Sequence, residues 1–237
     1  MARQFKSSNC LGVCHTMSEE DDFQVKNLDG YSKKTFFYYA NKRIFDVFGG
    51  LIGLTFSIIP LIVFAVIIKK DGGSVFYVQK RVGKDGKIFT MYKLRSMVPN
   101  ADSIKVKLLD KNEKHGGLFK IKKDPRVTKI GHFLRAHSLD ELPQFWNVLK
   151  GDMSLVGPRP PLRSEVQKYS DYQIQRLLVR PGMSGLWQIS DRSNLDFEDM
   201  IKLDLKYIDE RSTWGDFKIC LKTIKIIFKR GEDVGAY

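Results

Sequence analysis

The sequence predicts an α-rich α+β protein, in which a re-entrant membrane helix precedes a compact cytoplasmic domain with a small β-hairpin and surface amphipathic helices. Three observations support this fold class. A stretch of 22 residues without a charge runs from Val47 to Ile68. Two β-rich runs flank a turn signal at Asp85-Gly86. Near the C-terminus, apolar residues recur at the spacing of an amphipathic helix.

The uncharged stretch is long enough for a membrane helix. At about 1.5 Å per residue it reaches roughly 33 Å, and the hydrocarbon core of a bilayer is about 30 Å thick. Basic pairs flank it on both sides, at 42–43 and 69–70, whereas a simple span carries its positive flank on one side. Pro60 bends a helix, and Ser57 is placed to bond a carbonyl that the bend frees. We expect a bent, re-entrant helix; a straight span and a buried core helix are the alternatives.

The expected organisation has four parts. Residues 1–36 form a disordered tail, 37–70 the membrane-embedded helix, 71–230 the cytoplasmic domain and 231–237 a C-terminal tail. Within the domain, the runs 74–81 and 88–95 predict a hairpin around Asp85-Gly86. The last helix is expected from Asp216 to Arg230, with an apolar stripe opposite a lysine stripe. That helix suits either an anionic membrane surface or ordinary packing on the core.

The net charge of the chain indicates what kind of partner it binds. Lys+Arg minus Asp+Glu is 40 − 27 = +13, so an anionic partner is expected: nucleic acid, anionic lipid or a phosphorylated substrate. The apolar stretch favours lipid phosphate and a phosphorylated substrate over nucleic acid. Three cysteines give no disulfide framework, which fits a reducing compartment.

The candidate reactive motif is the stretch 137–144, which contains the adjacent carboxylates Asp140 and Glu141. Two structural interpretations compete with a catalytic one. Ser138 followed by Glu141 matches a helix capping box. In the second interpretation, Asp140 is the helix N-cap. This places Pro143 near the start of the helix, where proline is tolerated.

Two further motifs follow. In Gly151–Pro161, Arg159 stands between Pro158 and Pro160, and a guanidinium on a stiff backbone suits phosphate binding. The alternative is a proline-rich loop with an exposed arginine. Residues 180–190 form a glycine-containing stretch that allows close approach to a ligand.

Together the motifs resemble one family, the bacterial sugar transferases or polyprenyl-phosphate sugar-1-phosphate transferases. The likeness is to the single-domain, monotopic type and to undecaprenyl-phosphate galactose or glucose phosphotransferases. It covers about residues 42–230. The motifs that carry it lie at 42–46, 92–97, 138–144, 151–160 and 180–188. At the helix bend this chain has Ile59-Pro60 where the family often has Ser-Pro.

The resemblance implies a reaction. A UDP-sugar gives its sugar-1-phosphate to a polyprenyl phosphate such as undecaprenyl phosphate, and UMP leaves. This would be the initiating step of exopolysaccharide, capsule, O-antigen or glycoconjugate synthesis. The intermediate is a phosphoaspartate, and the expected site is the cytoplasmic face of the inner or plasma membrane.

The resemblance also implies residue roles. Asp140 is the expected nucleophile and a ligand of Mg²⁺, and Glu141 is its partner carboxylate. The expected substrate-binding and phosphate-binding residues are Arg159, Arg135, Lys93 and Asp204. Magnesium suits such a site because it binds carboxylate and diphosphate oxygens together.

The expected partners are a UDP-sugar donor, a polyprenyl phosphate acceptor and membrane lipid, with a homodimer as an option and no nucleic acid. Two other classes of protein compete with the enzyme. A basic membrane-surface scaffold would need neither Asp140 nor Arg159. A membrane-tethered nucleic-acid binder would show salt-sensitive binding to DNA or RNA.

Overall fold

The computed structural model describes Phe23 and residues 34–108, 121, 124–190 and 195–229. Most of the predicted N-terminal tail and all of the predicted C-terminal tail lie outside these residues. The α-rich α+β class is confirmed. The helices are α1 (Phe36–Lys69), α2 (Ala101–Val106), α3 (Lys129–Ala136), α4 (Gln144–Lys150), α5 (Arg163–Val166), α6 (Asp171–Ile174), α7 (Leu186–Ile189), α8 (Phe197–Glu210) and α9 (Thr213–Lys229). The strands are β1 (Phe76–Val82), β2 (Ile88–Leu94), β3 (Ser154–Val156) and β4 (Gly182–Ser184).

Helix α1 is one continuous helix of 34 residues. Thr35 begins it by accepting a hydrogen bond from the Tyr38 N–H. Within the described residues it is the one helix long and apolar enough to cross a membrane. Pro60 lies inside the helix without ending it. The Ser57 hydroxyl donates to the Gly53 carbonyl at 2.6 Å, whereas the carbonyl that loses its donor to Pro60 is that of Phe56, four residues before the proline.

The first half of α1 docks against the domain through glycines and a buried charged cluster. A Cβ atom on Gly53 would overlap the Phe145 ring of α4, and one on Gly49 would overlap Leu155. Asp46 is buried and accepts hydrogen bonds from the Ser154 hydroxyl at 2.9 Å and the Leu155 N–H at 3.0 Å. The helix backbone therefore lies close to α4 and β3.

The second half of α1 contacts the same domain at another place. Ile68 is buried in a cluster with Leu94 and Leu134, against which Phe64 also packs. Arg95 donates to the Ile68 carbonyl at 2.9 Å. Helix α1 thus lies along the domain instead of leading away from it, while most of its remaining apolar side chains are exposed. They include Phe48, Leu51, Ile52, Phe56, Ile58, Ile59, Ile62, Val63 and Val66.

The predicted hairpin is confirmed. Strands β1 and β2 pair antiparallel, with Phe76 opposite Leu94 and Val82 opposite Ile88. The connection passes through Asp85 and Gly86 with φ of 56° and 82°, the left-handed region that Asp and Gly adopt most readily. Phe23, inside the predicted tail, is buried beside this turn, and its N–H donates to the Gly86 carbonyl at 3.0 Å.

Strands β3 and β4 form a short parallel pair, with Ser154 opposite Gly182 and Val156 opposite Ser184. Helices α8 and α9 cover it, and the main core gathers there. Helix α9 starts three residues before the predicted Asp216. Within its predicted apolar stripe, Cys220 packs against the core, while Phe217, Leu221 and Ile224 are exposed. Packing on the core therefore accounts for only part of the stripe.

We expect Gly53→Val to destabilise the docking of α1 on α4, because its side chain would overlap the Phe145 ring. Overpacking of this kind costs about 1–3 kcal/mol. Thermal unfolding of the full chain in lipid nanodiscs measures the effect. Ile52→Phe, which adds bulk on the exposed side of α1, is the matched control. Equal unfolding temperatures for Gly53→Val and the unmodified protein would contradict the close docking.

Candidate active site

The two carboxylates lie in a short 3-10 turn, Leu139–Glu141, between α3 and α4. Thr128 caps the start of α3 by accepting from the Gly131 N–H at 3.0 Å. The helix ends because Ser138 takes a left-handed conformation with φ of 55°, which is unfavourable for a residue with a side chain. The backbone thus reverses its curvature two residues before Asp140.

Both structural interpretations of this motif are wrong. Ser138 makes no side-chain capping bond, so there is no capping box. Asp140 is not a helix N-cap, because α4 begins at Gln144 with Pro143 as its N-cap. In that position the missing N–H of proline costs the helix nothing.

Lys93 of β2 joins the two carboxylates. Its Nζ lies 2.7 Å from Glu141 Oε1 and 3.9 Å from Asp140 Oδ2. The turn is also fixed from below, because Leu139 packs against the cluster of Ile68, Leu94 and Leu134. The side chains of Lys93 and Leu94 point to opposite faces of the strand. Strand β2 therefore contacts the turn in two ways, through the charge of Lys93 and through apolar packing of Leu139 on the cluster that contains Leu94.

The carboxyl of Asp140 is buried, and this burial raises its pKa to about 6. That value includes a smaller raising effect of Glu141 and the lowering effects of Lys93 and Arg135. Asp140 is therefore still an anion at neutral pH, but a more basic one than an exposed aspartate. Arg135 is held by a 2.9 Å bond from its Nε to the Ser96 hydroxyl.

The sequence interpretation missed Arg81. Tyr77 stands opposite Lys93 in the hairpin, and Tyr77, Gln79 and Arg81 alternate along β1, so all three share a face with Lys93. Arg81 is buried; its Nη1 donates to the Pro160 carbonyl at 2.9 Å, and its Nη2 to Gln79 Oε1 at 2.6 Å. Strand alternation, counted from Lys93 across the predicted hairpin, is the signal that could have identified Arg81.

Arg159 lies on the loop that follows β3. Its side chain is 33% exposed, and its Nη1 is 3.6 Å from Glu165 Oε1. Burial and, to a smaller extent, the adjacent charge of Arg159 lower the pKa of Arg81 to about 10. Glu165 and Glu141 act on Arg81 in the opposite direction. Arg81 thus lies within electrostatic range of both Arg159 and the acidic turn.

Asp204 of α8 lies elsewhere. It is buried and forms an ion pair with Arg176. Burial raises its pKa to about 6, against the effect of Arg176. Arg176 also donates to the Arg159 carbonyl at 3.3 Å. The predicted site residues are therefore arranged in two groups: Asp140, Glu141, Lys93 and Arg135 surround the turn, whereas Asp204 lies beneath the Arg159 loop. Contact between Asp204 and a substrate stays a prediction.

The residues are compatible with the predicted magnesium. Among the described residues, no three Asp, Glu, His or Cys side chains form a group that would hold a metal unaided. Mg²⁺ commonly uses only one or two carboxylates and completes its coordination with substrate phosphates and water. Asp140 and Glu141, adjacent in one turn, are such a donor set.

The arrangement suits phosphoryl transfer. A buried anionic carboxylate is surrounded by Lys93 and Arg135, and Arg81 and Arg159 add two more cations nearby. Transfer of a phosphoryl group depends mainly on positioning and on neutralising its charge. An aspartate that is already ionised can attack without first losing a proton.

Comparison with known proteins identifies the family of the chain. The family model for the bacterial sugar transferases matches residues 37–230. The chain is 49% identical over 212 residues to the galactosyl transferase CpsE of Streptococcus agalactiae, covering 86% of this chain and 47% of that protein. It is 41% identical to the undecaprenyl-phosphate galactose phosphotransferase of Salmonella typhimurium, covering 83% of this chain and 41% of that protein.

A third relative is more similar in length. The exopolysaccharide production protein ExoY of Rhizobium meliloti is 38% identical over 191 residues, which are 78% of this chain and 84% of that protein. The chain thus spans less than half the length of the first two relatives and most of the third. The family match covers α1, the hairpin and the whole acidic and basic site. The chain belongs to the bacterial sugar transferase family.

Proposed function

We propose that this chain transfers sugar-1-phosphate from a UDP-sugar to a polyprenyl phosphate such as undecaprenyl phosphate and releases UMP. This would be the initiating step of exopolysaccharide, capsule, O-antigen or glycoconjugate synthesis. The observation that carries the proposal is the buried, anionic Asp140 beside Lys93 and Arg135. Relatives named for phosphotransfer to undecaprenyl phosphate support the acceptor.

In the first half of the reaction, a carboxylate oxygen of Asp140 attacks the phosphorus that carries the sugar. A bond forms between that oxygen and phosphorus, the diphosphate P–O bond breaks, and UMP leaves with the electron pair. The cations Lys93, Arg135 and Arg159 stabilise the negative charge that spreads over the phosphate oxygens.

In the second half, an oxygen of the polyprenyl phosphate attacks the same phosphorus. The bond to Asp140 breaks, the carboxylate is restored, and the product is a polyprenyl diphosphate-linked sugar. A covalent intermediate means that the two anionic substrates need not occupy the site together. Mg²⁺, held by Asp140 with Glu141, would supply further neutralisation of the diphosphate charge.

The sugar is proposed from the relatives. One is named a galactosyl transferase, one an undecaprenyl-phosphate galactose phosphotransferase and one, from Erwinia amylovora, a UDP-galactose-lipid carrier transferase. The relative from Aeromonas hydrophila is named for UDP-N-acetylgalactosamine. UDP-galactose is therefore the first donor to test, and UDP-N-acetylgalactosamine the second.

The apolar helix and the family indicate membrane association. We further propose that α1 is re-entrant, with the domain at the cytoplasmic face of the inner or plasma membrane. Support comes from the contacts of both halves of α1 with the same domain, through Asp46 and through Ile68. A helix that crossed the bilayer would carry one of these positions away from a domain on one face. The exposed residues Phe217, Leu221 and Ile224 of α9 suit the same membrane surface.

Asp140→Asn should reduce transfer to undecaprenyl phosphate by about 10³-fold or more, because the amide is a poor nucleophile. UMP release and formation of radiolabelled lipid product measure it. Asp199→Asn, which breaks an exposed ion pair with Lys202, is the matched control and should retain full activity. A scaffold, the competing function, would need neither Asp140 nor Arg159. Near-normal turnover by Asp140→Asn would show that Asp140 is not the nucleophile.

Removal of divalent metal with EDTA should abolish transfer, and added Mg²⁺ should restore it. The same lipid-product assay measures both steps, and membrane binding by flotation serves as the control for intact protein. Full activity in excess EDTA would show that Asp140 and Glu141 work without a metal.

The topology of α1 can be tested with Phe36→Cys, at a position 80% exposed at the start of the helix. In a background with Cys10, Cys14 and Cys220 replaced by serine, a membrane-impermeant maleimide added to intact cells should not label it. Labelling after lysis confirms that the thiol is reactive, and Lys202→Cys in the domain is the cytoplasmic reference. Labelling of Phe36→Cys from outside would establish a straight span.

A further inference from the structure

The loop that carries Arg159 has an unusual pattern of hydrogen bonds. Four consecutive carbonyls, from Pro158 to Pro161, each accept a hydrogen bond, two from β1 and two from residues 176–182. The Gly182 N–H donates to Pro158 at 2.8 Å and the Val82 N–H to Pro161 at 3.0 Å. Backbone donors thus hold the two ends of the segment.

The two middle carbonyls are held by side chains. Arg176 Nη2 donates to the Arg159 carbonyl at 3.3 Å, and Arg81 Nη1 donates to the Pro160 carbonyl at 2.9 Å. Both guanidinium groups are buried. The Arg159 peptide is therefore fixed from α6–β4 on one side and from the hairpin on the other.

Each of these arginines is itself held in place. Arg81 Nε and Nη2 both donate to Gln79 Oε1, at 3.0 and 2.6 Å. Arg176 pairs with Asp204 and donates to the Tyr169 hydroxyl at 2.9 Å. A guanidinium with several donors fixed at once has little freedom left, so it fixes its acceptor carbonyl precisely.

The Arg159 side chain differs from these two. Its backbone is fixed on both sides, yet its guanidinium is partly exposed, and Glu165 is 3.6 Å away. A charged group on an immobile backbone loses less conformational entropy when it binds an anion.

We infer that Arg81 and Arg176, the latter with Asp204, are positioning residues that hold the Arg159 guanidinium ready for a phosphate group of the donor. This inference rests on the proposed function for the identity of the donor. It gives Asp204 a role through Arg176 and Arg159, in place of the substrate contact that the sequence suggested.

The test is a double-mutant cycle read out by UDP affinity, with UDP as the diphosphate probe. Arg81→Lys and Arg176→Lys keep the positive charge, but an ammonium group cannot make the several hydrogen bonds of the planar guanidinium. Each is made in the full chain, alone and combined with Arg159→Ala. Isothermal titration gives the Kd for UDP, and thermal unfolding shows whether each variant is folded.

If the two arginines act through Arg159, each Lys variant weakens UDP binding by about tenfold in the wild-type background. In the Arg159→Ala background, where the positioned group is gone, it has almost no further effect, and this non-additivity is the signature of coupling. Equal losses in both backgrounds would overturn the inference, as would normal UDP affinity in folded single variants. If one Lys variant does not fold, the other, which acts from the opposite side of the loop, decides.

Lys80→Arg is the matched charge-conserving control on β1, because Lys80 neighbours Arg81 in sequence but is exposed. It should leave the Kd for UDP unchanged.

Turnover by the unmodified protein is measured in parallel. Additive losses with intact turnover would overturn only the positioning role. Coupled losses without Asp140-dependent turnover would leave the positioning role standing and remove the proposed reaction. No UDP binding by the unmodified protein would overturn both.

Discussion

A cluster of charged groups buried between α1, β3 and α9 ties the apolar helix to the rest of the protein. Lys42 Nζ lies 2.9 Å from Asp216 Oδ2 and 3.6 Å from Asp46 Oδ1, and donates to the Val156 carbonyl at 3.0 Å. Buried charges are costly unless their partners are well placed. Because β3 leads directly into the Arg159 loop, the same cluster that docks α1 also sets where that loop begins.

The site is assembled from segments far apart in sequence. The hairpin supplies Lys93 and Arg81, the turn after α3 supplies Asp140 and Glu141, and the loop after β3 supplies Arg159. No one segment holds enough charge of both signs to bind and activate a diphosphate. The hairpin is the element that links them, since Lys93 contacts the acidic turn and Arg81 contacts the Arg159 loop.

Much of this was predictable from sequence, because local signals were strong. The uncharged stretch of α1, the hairpin around Asp85-Gly86 and the acidic motif all have signatures within a few residues. Other features depend on contacts between distant segments, and no local sequence pattern predicts them. They are the left-handed Ser138, the parallel pairing of β3 with β4 and the partners of Arg176. Asp204 illustrates the limit: a carboxylate in an amphipathic helix gives no sign that its partner is a buried arginine 28 residues away.

The prolines of the Arg159 loop determine how that loop can recognise a phosphate. Many phosphate-binding loops surround the anion with backbone N–H groups. Pro158, Pro160 and Pro161 have no N–H, and their carbonyls would repel an anion if they were not turned inward to their donors. The backbone here is thus an acceptor surface that faces the protein interior. With N–H groups missing at three of the four positions from 158 to 161, the segment cannot form a nest of successive N–H groups, and the Arg159 guanidinium is its source of positive charge.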